Sequence, residues 1–114
     1  MIAHITSREA WHRAQQAGEY TDASLARDGY IHCSLPTGDQ LLAVANAHFM
    51  GRPDLVLLLI EPLRLRAEVK DEEFEDSGHV FPHVYGPINL DAVVRVVDFP
   101  PEQDGTFRLP GILC

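Results

Sequence analysis

The sequence predicts an α+β fold. Its elements read strand, helix, strand, helix and then a run of strands, so helices follow the first two strands and the rest is sheet. Leu55 to Ile60 is a continuous apolar run, the pattern of a strand buried on both faces. Three other short stretches alternate at the period of a strand, namely Ile2 to Thr6, Gly29 to Ser34 and Phe81 to Gly86.

Met1 to Thr6 forms the first strand in this reading. Thr6 with Glu9 three residues on makes a capping box, and Ala10, Trp11, Ala14 and Ala17 follow at helical spacing until Gly18. Residues 19–28 read as a connection with one helical turn near Ser24 to Arg27. The Gly29 to Ser34 strand ends at Pro36. A second capping box at Thr37 and Gln40 opens a helix that buries Leu41, Val44, Ala45 and Phe49 and stops at Gly51 and Pro53. After the Leu55 to Ile60 strand, Leu63 to Lys70 alternates apolar with charged residues and reads as a strand with one wet face. Asp71 to Asp76 is acidic and reads as a loop, and whether it closes over a pocket is left open. Val80 to Tyr85 and Val93 to Phe99 are the last strands. The stretch from Pro100 onward, rich in Pro and Gly, reads as coil laid on the surface of a single domain spanning 1–114.

Composition narrows the function classes. The chain has 114 residues, 46% hydrophobic and 23% charged, as an ordinary globular protein has. A formal charge of −8 opposes nonspecific nucleic-acid binding, although a small docked nucleotide is compatible with it. No apolar run reaches the roughly 20 residues that span a bilayer. No signal-peptide pattern opens the chain. Cys33 and Cys114 do not make a disulfide framework, so reduced thiols and a cytoplasmic location are expected.

The alternation also proposes a site. Tyr30, His32 and Ser34 share one strand face while Ile31 and Cys33 share the other. Phe81, His83 and Tyr85 share a face, as do His4 and Thr6 with Ile2. Three strands each present a histidine among apolar neighbours, and a buried imidazole needs polar partners. We expect the faces of His4, His32 and His83 to converge on a polar ligand pocket. His12 and His48 lie on predicted helices, where structural or solvated roles are expected, and His79 lies at the surface beside the acidic loop.

Rival chemistries fit less well. His32 and Cys33 are adjacent and point to opposite faces, while His79 and His83 lie about 13 Å apart along a strand at roughly 3.3 Å per residue. A shared zinc needs both nitrogens within about 2.1 Å, so no metal is expected. Cys33 points to the apolar side, where a thiol is inert. Ser34 lacks the Gly-x-Ser-x-Gly elbow and reads as a ligand contact. Phosphate loops are absent, leaving the helix start near Thr37 to Gln40 as the available anion site.

The set His4-Ile5-Thr6, Trp11, Gly29-Tyr30-Ile31-His32-Cys33-Ser34, Val44-Ala45-Asn46 and Phe81-Pro82-His83-Val84-Tyr85-Gly86-Pro87 resembles the small bacterial family called domain of unknown function 952, over about residues 1–97. The resemblance implies a fold similar to the ADP-ribosyltransferases, which hold NAD in a cleft of a split, mostly antiparallel sheet. It also implies that His4 matches a first-strand histidine on the ribose side of the ligand. His32, Ser34 and the helix after Thr37 look like that group's second-strand aromatic, serine and following helix. Alignment on Val84-Tyr85 puts Phe81 where the catalytic glutamate stands, and Glu61, Glu68 and Glu75 match no motif position. A carboxylate there stabilises a cationic ribose, which a phenylalanine cannot do. Ordinary mono-ADP-ribosyl transfer is therefore not implied.

The expectations are these. His83 is the catalytic acid or base of a transferase or hydrolase on NAD, ADP-ribose or another nucleotide-like phosphorylated compound. His4, Thr6, His32, Ser34, Phe81 and Tyr85 bind that small molecule. The alternatives are a binding module that keeps the pocket without turnover, and a structural domain whose histidines are merely satisfied.

Overall fold

A computed structural model describes residues 1–73 and 78–113. β1 (Ile2–Ser7) leads into α1 (Arg8–Ala17), then β2 (Glu19–Tyr20), α2 (Ala23–Asp28) and β3 (Ile31–His32). A wide π-type turn, Gly38–Leu42, runs into α3 (Ala43–His48). β4 (Leu55–Ile60), β5 (Val69–Glu73), β6 (Val80–Val84), β7 (Ile88–Asn89) and β8 (Val93–Asp98) follow. The architecture is α+β, and every strand pairing among the described residues is antiparallel. The strands form sheets of order β1-β4-β8, β3-β6-β5 and β2-β7. A bridge from Ala3 to Ser34 joins the first two, with reciprocal backbone bonds of 2.8 and 2.9 Å.

β4 is the centre of gravity of the packing. It is flanked on both edges and buried along its whole length, so its alternate side chains feed two separate cores. Val56, Leu58 and Ile60 pack with Tyr20, Ile31, Val84 and Ile88. Leu55, Leu57 and Leu59 pack with Leu41, Ala45, Phe99 and Phe107.

Local sequence chemistry explains the boundaries and several departures from expectation. The N-cap of α1 is Ser7, not Thr6: the Ser7 hydroxyl accepts from the Ala10 amide at 3.0 Å. Thr6 stays in β1 because its hydroxyl is engaged by Tyr20. The connection at 19–28 is more ordered than expected, with Asp22 capping α2 through the Ser24 amide. The strand of residues 29–34 reduces to Ile31–His32, with Ser34 held only by its bridge. Gln40 does not close a capping box. Its side chain accepts from the Leu35 amide and donates to the Val80 carbonyl, tying the turn to β6. Neither that turn nor the short α3 offers an aligned N-terminus long enough to serve as an anion site.

The predicted strand over 63–70 is a 3₁₀ turn at Pro62–Arg64 followed by irregular chain, and the ladder starts only at Val69. Conversely, Asp71, Glu72 and Glu73 are not loop. They belong to β5, an edge strand where charges are tolerated because one flank faces water. The rest of the expected acidic loop, residues 74–76, lies outside the described residues. The C-terminal stretch is mostly irregular but firmly docked: Phe107 is buried, stacks on Phe99 at 4.8 Å, and its amide donates to Asn46 Oδ1.

One glycine is fixed by packing alone. A Cβ on Gly86 would stand 2.9 Å from Cβ of Ala67, closer than real carbon contacts allow. Gly86→Ala is expected to destabilise the protein by about 1–2 kcal/mol through this overpacking. Adding Ala67→Gly removes the opposing methyl, so urea midpoints of the single and double variants check the origin of the loss.

Candidate functional site

β3 and β6 pair with His32 directly opposite His83. Opposed residues of an antiparallel ladder project to the same face, so both imidazoles enter one cleft. Their centroids are 5.4 Å apart with the rings tilted by 69°. Tyr30 stacks on His83 at 4.0 Å and meets the His32 ring at 4.8 Å. The cleft has a volume of about 570 Å³ and is also lined by Ser34, Phe81, His48 and His79.

Each of the two imidazoles is anchored through one nitrogen by its own carboxylate. Nδ1 of His83 lies 2.9 Å from Glu72 Oε1, which also accepts from the Tyr85 hydroxyl at 2.5 Å. A carboxylate only accepts, so Nδ1 carries the hydrogen and Nε2 is left with no partner among the described residues. The Tyr85 hydroxyl, and then His83, hold the Glu72 carboxyl below its ordinary range. In return Glu72, with some burial, pushes the Tyr85 phenol up to about 12, so it keeps its proton. His32 is anchored at the other nitrogen: Nε2 donates to Asp28 Oδ2 at 2.8 Å. Arg27 forks onto the same carboxylate, and Arg27 first, His32 second, hold Asp28 down to about 2. Nδ1 of His32 has no partner among the described residues.

His4 is built differently. Its Nδ1 donates to the His32 carbonyl at 2.6 Å, and its Nε2 lies 2.8 Å from the Tyr20 hydroxyl and 3.2 Å from Asp22 Oδ2. The Tyr20 hydroxyl in turn donates to Thr6 at 2.9 Å. Carbonyl and carboxylate are both acceptors, so both ring nitrogens carry hydrogen and His4 is an imidazolium. Burial opposes that charge, but the Asp22 carboxylate prevails and raises the His4 pKa well above its ordinary value. Burial likewise works to raise Asp22, while His4 and Ser24 hold it far below the carboxylate range.

The structure therefore brings His4, His32, Ser34, Phe81 and His83 to one cleft wall. Both nitrogens of His4 are turned to protein groups, and Thr6 and Tyr85 do not line the cleft but bond Tyr20 and Glu72 respectively. His48, expected to be structural or solvated, and His79, expected at the surface, are exposed yet line the cleft. Cys33 is buried in the core, as its apolar face required, though its edge reaches the cleft. Sequence reasoning missed the carboxylates that hold the imidazoles. Asp28 precedes His32 by four residues, whereas Glu72 lies in the stretch read as a loop, 11 residues from His83. Among the described residues no cluster of three or more ligating side chains is placed to hold a metal ion. None of their helices is long and apolar enough to cross a membrane.

Protein CC0527 from Caulobacter crescentus has a similar crystal structure. It is 33% identical, with a TM-score of 0.86 over 98% of this chain and 96% of that one. A double mutant of CC0527 gives 32% identity and the same TM-score of 0.86. The solution NMR structure of CC0527 gives 34% identity and a TM-score of 0.73, over 95% of this chain and 91% of that one. No curated protein matches the chain. The sequence pattern of the family described as "Protein of unknown function (DUF952)" matches residues 5–96, which take in the strands that carry His32 and His83, and the chain belongs to that family.

Proposed function

We propose that the cleft binds a nucleotide-like phosphorylated small molecule and that His83 acts on it as general base. The observation that carries this reading is the His83–Glu72 contact of 2.9 Å. It fixes the tautomer and leaves the other nitrogen for the cleft. The volume of 570 Å³ is in the range of about 300–1,000 Å³ usual for small-molecule sites. The imidazoles of His32 and His48 around one cleft suit phosphate oxygens. Ser34 adds a hydroxyl, and Phe81 an apolar surface for a base or nicotinamide ring.

The likeness to the ADP-ribosyltransferase fold is part of this proposal. It draws support from a cleft set where two antiparallel sheets meet at the Ala3–Ser34 bridge. NAD and ADP-ribose are therefore the first ligands to try. A second reading, binding without turnover, draws on Phe81, which lines the cleft without offering a carboxylate to a cationic ribose. In that case the ligand is recovered intact.

Thermal unfolding with NAD, ADP-ribose, AMP and inorganic phosphate tests the binding reading. At a hundredfold excess over Kd a native-state ligand adds about 2.7 kcal/mol, a Tm rise on the order of ten degrees for a domain this size. We expect such a rise with at least one nucleotide and its loss in His32→Ala. No rise with any of them overturns the reading.

A further inference from the structure

We infer that His32 and His83 form a two-histidine acid–base pair for hydrolysis of a nucleoside phosphodiester whose leaving group is a ribose hydroxyl. The inference rests on the nucleotide reading of the cleft and names its chemistry.

The geometry is paired throughout. The two residues oppose each other in one ladder, and their rings sit 5.4 Å apart in the same cleft. Each ring is fixed by a carboxylate from a different element, Asp28 at the end of α2 and Glu72 in β5. Each keeps one nitrogen uncommitted among the described residues. One oriented imidazole would serve a simple base. Two of them, independently braced, serve a reaction that takes a proton at one atom and delivers one at another.

Leaving-group chemistry then selects the bond. A pyrophosphate departs as a stable anion and nicotinamide departs neutral, so neither needs an acid. An N-glycosidic cleavage needs instead a carboxylate against the cationic ribose, at the wall where Phe81 stands. A ribose alkoxide is a poor leaving group and does need a proton. In-line displacement places the attacking and departing oxygens on opposite sides of phosphorus, each about 2.8 Å from its proton partner. In this step one phosphorus sits over the two tilted rings, whose centroids are 5.4 Å apart.

In the step, Nε2 of His83 takes a proton from water as the water oxygen bonds to phosphorus. The P–O bond to the ribose oxygen breaks, and that oxygen takes the proton from Nδ1 of His32, the more exposed ring, on the solvent side of the product. Phosphodiester and water give a phosphomonoester and an alcohol. The proton held on His83 returns to His32 through solvent.

The test compares adenosine 2′,3′-cyclic phosphate, which has an alkoxide leaving group, with bis(p-nitrophenyl) phosphate, whose phenolate leaves unaided. Monoester formation is followed by phosphorus NMR and nitrophenolate by absorbance, on variants whose melting curves are first shown to be those of folded protein. His83→Gln is expected to slow both substrates by about a hundredfold or more, the usual range for loss of an acid–base group. His32→Gln is expected to slow the cyclic phosphate as strongly and the nitrophenyl ester less than about threefold. Equal effects of His32→Gln on both substrates overturn the inference, because a structural role makes no such distinction. A nucleotide-induced rise in Tm without monoester formation overturns it too and leaves the binding reading standing. Absence of any nucleotide-induced rise overturns that reading itself.

Discussion

Asp22→Asn is expected to destabilise the protein by about 3 kcal/mol near pH 6. The Asn side chain still caps α2, because its amide oxygen can accept from the Ser24 amide. What is lost is the negative charge 3.2 Å from Nε2 of a His4 ring whose side chain is 7% exposed. Breaking a buried ion pair by removing one partner costs about 3–5 kcal/mol, and Asp22, 27% exposed, places the loss at the low end.

The pH dependence follows from the directions of the two shifts. The folded pKa of His4 is raised above its ordinary 6.5. Its contribution is complete below about pH 6.5 and is lost as pH climbs through the folded value. The folded pKa of Asp22 is depressed below 3.8, so its contribution is complete above about pH 4 and is lost as pH falls through the folded value. The pair stabilises fully between those limits. Wild-type stability should therefore decline from pH 6.5 upward, a slope that Asp22→Asn reduces. Urea midpoints at several pH values between about 5 and about 9 measure it. Parallel slopes for the two proteins would mean that His4 is not held as an imidazolium.

Leu58→Ala is expected to cost about 3–4 kcal/mol, within the span of about 2–5 kcal/mol for fully buried leucines. Leu58 has no exposed surface and stands in the middle of β4, with His4 on one flank and Val96 on the other. No backbone shift can refill the space, because the opposite face of β4 packs a second core. Val96 belongs to the same rung but to an edge strand, and 37% of it is exposed. Val96→Ala should cost below about 1 kcal/mol. Denaturant unfolding of both variants decides the matter. Similar losses from the two sites would mean that β8 is as constrained as β4.

Much of this frame was legible in the residues because burial writes a period into them. The apolar run at Leu55–Ile60 became the two-faced central strand, and the alternation set His32 and Ser34 on the cleft and Ile31 and Cys33 in the core, although Tyr30 does not line the cleft and Cys33 also reaches it. The alternation over Leu63 to Lys70 misled for an instructive reason. Leu65, Ala67 and Val69 do pack against the core, as a strand's apolar face would, but their backbone meets no neighbouring strand until Val69. Side-chain period reports which way residues face, not whether a ladder exists. The acidic run at Asp71–Glu73 misled in the opposite sense, since pairing with β6 outweighs poor strand propensity at an edge. The partners of the histidines were the least legible part of the site. Glu72 is 11 residues from His83, and Tyr20 is 16 from His4, and no local pattern ties contacts of that kind together.

The Ala3–Ser34 bridge has a consequence for any ligand of the cleft. Its two backbone bonds, with the His4 contact to the His32 carbonyl beside them, stitch together the sheets whose meeting makes the cleft. Along that seam there is no hinge to swing, because parting the walls would strip buried amides of their partners. The ordering entropy of those walls is lost once, when the chain folds. A small molecule arriving there meets a mould already set, and its contacts go into affinity instead of into drawing two halves of the protein together.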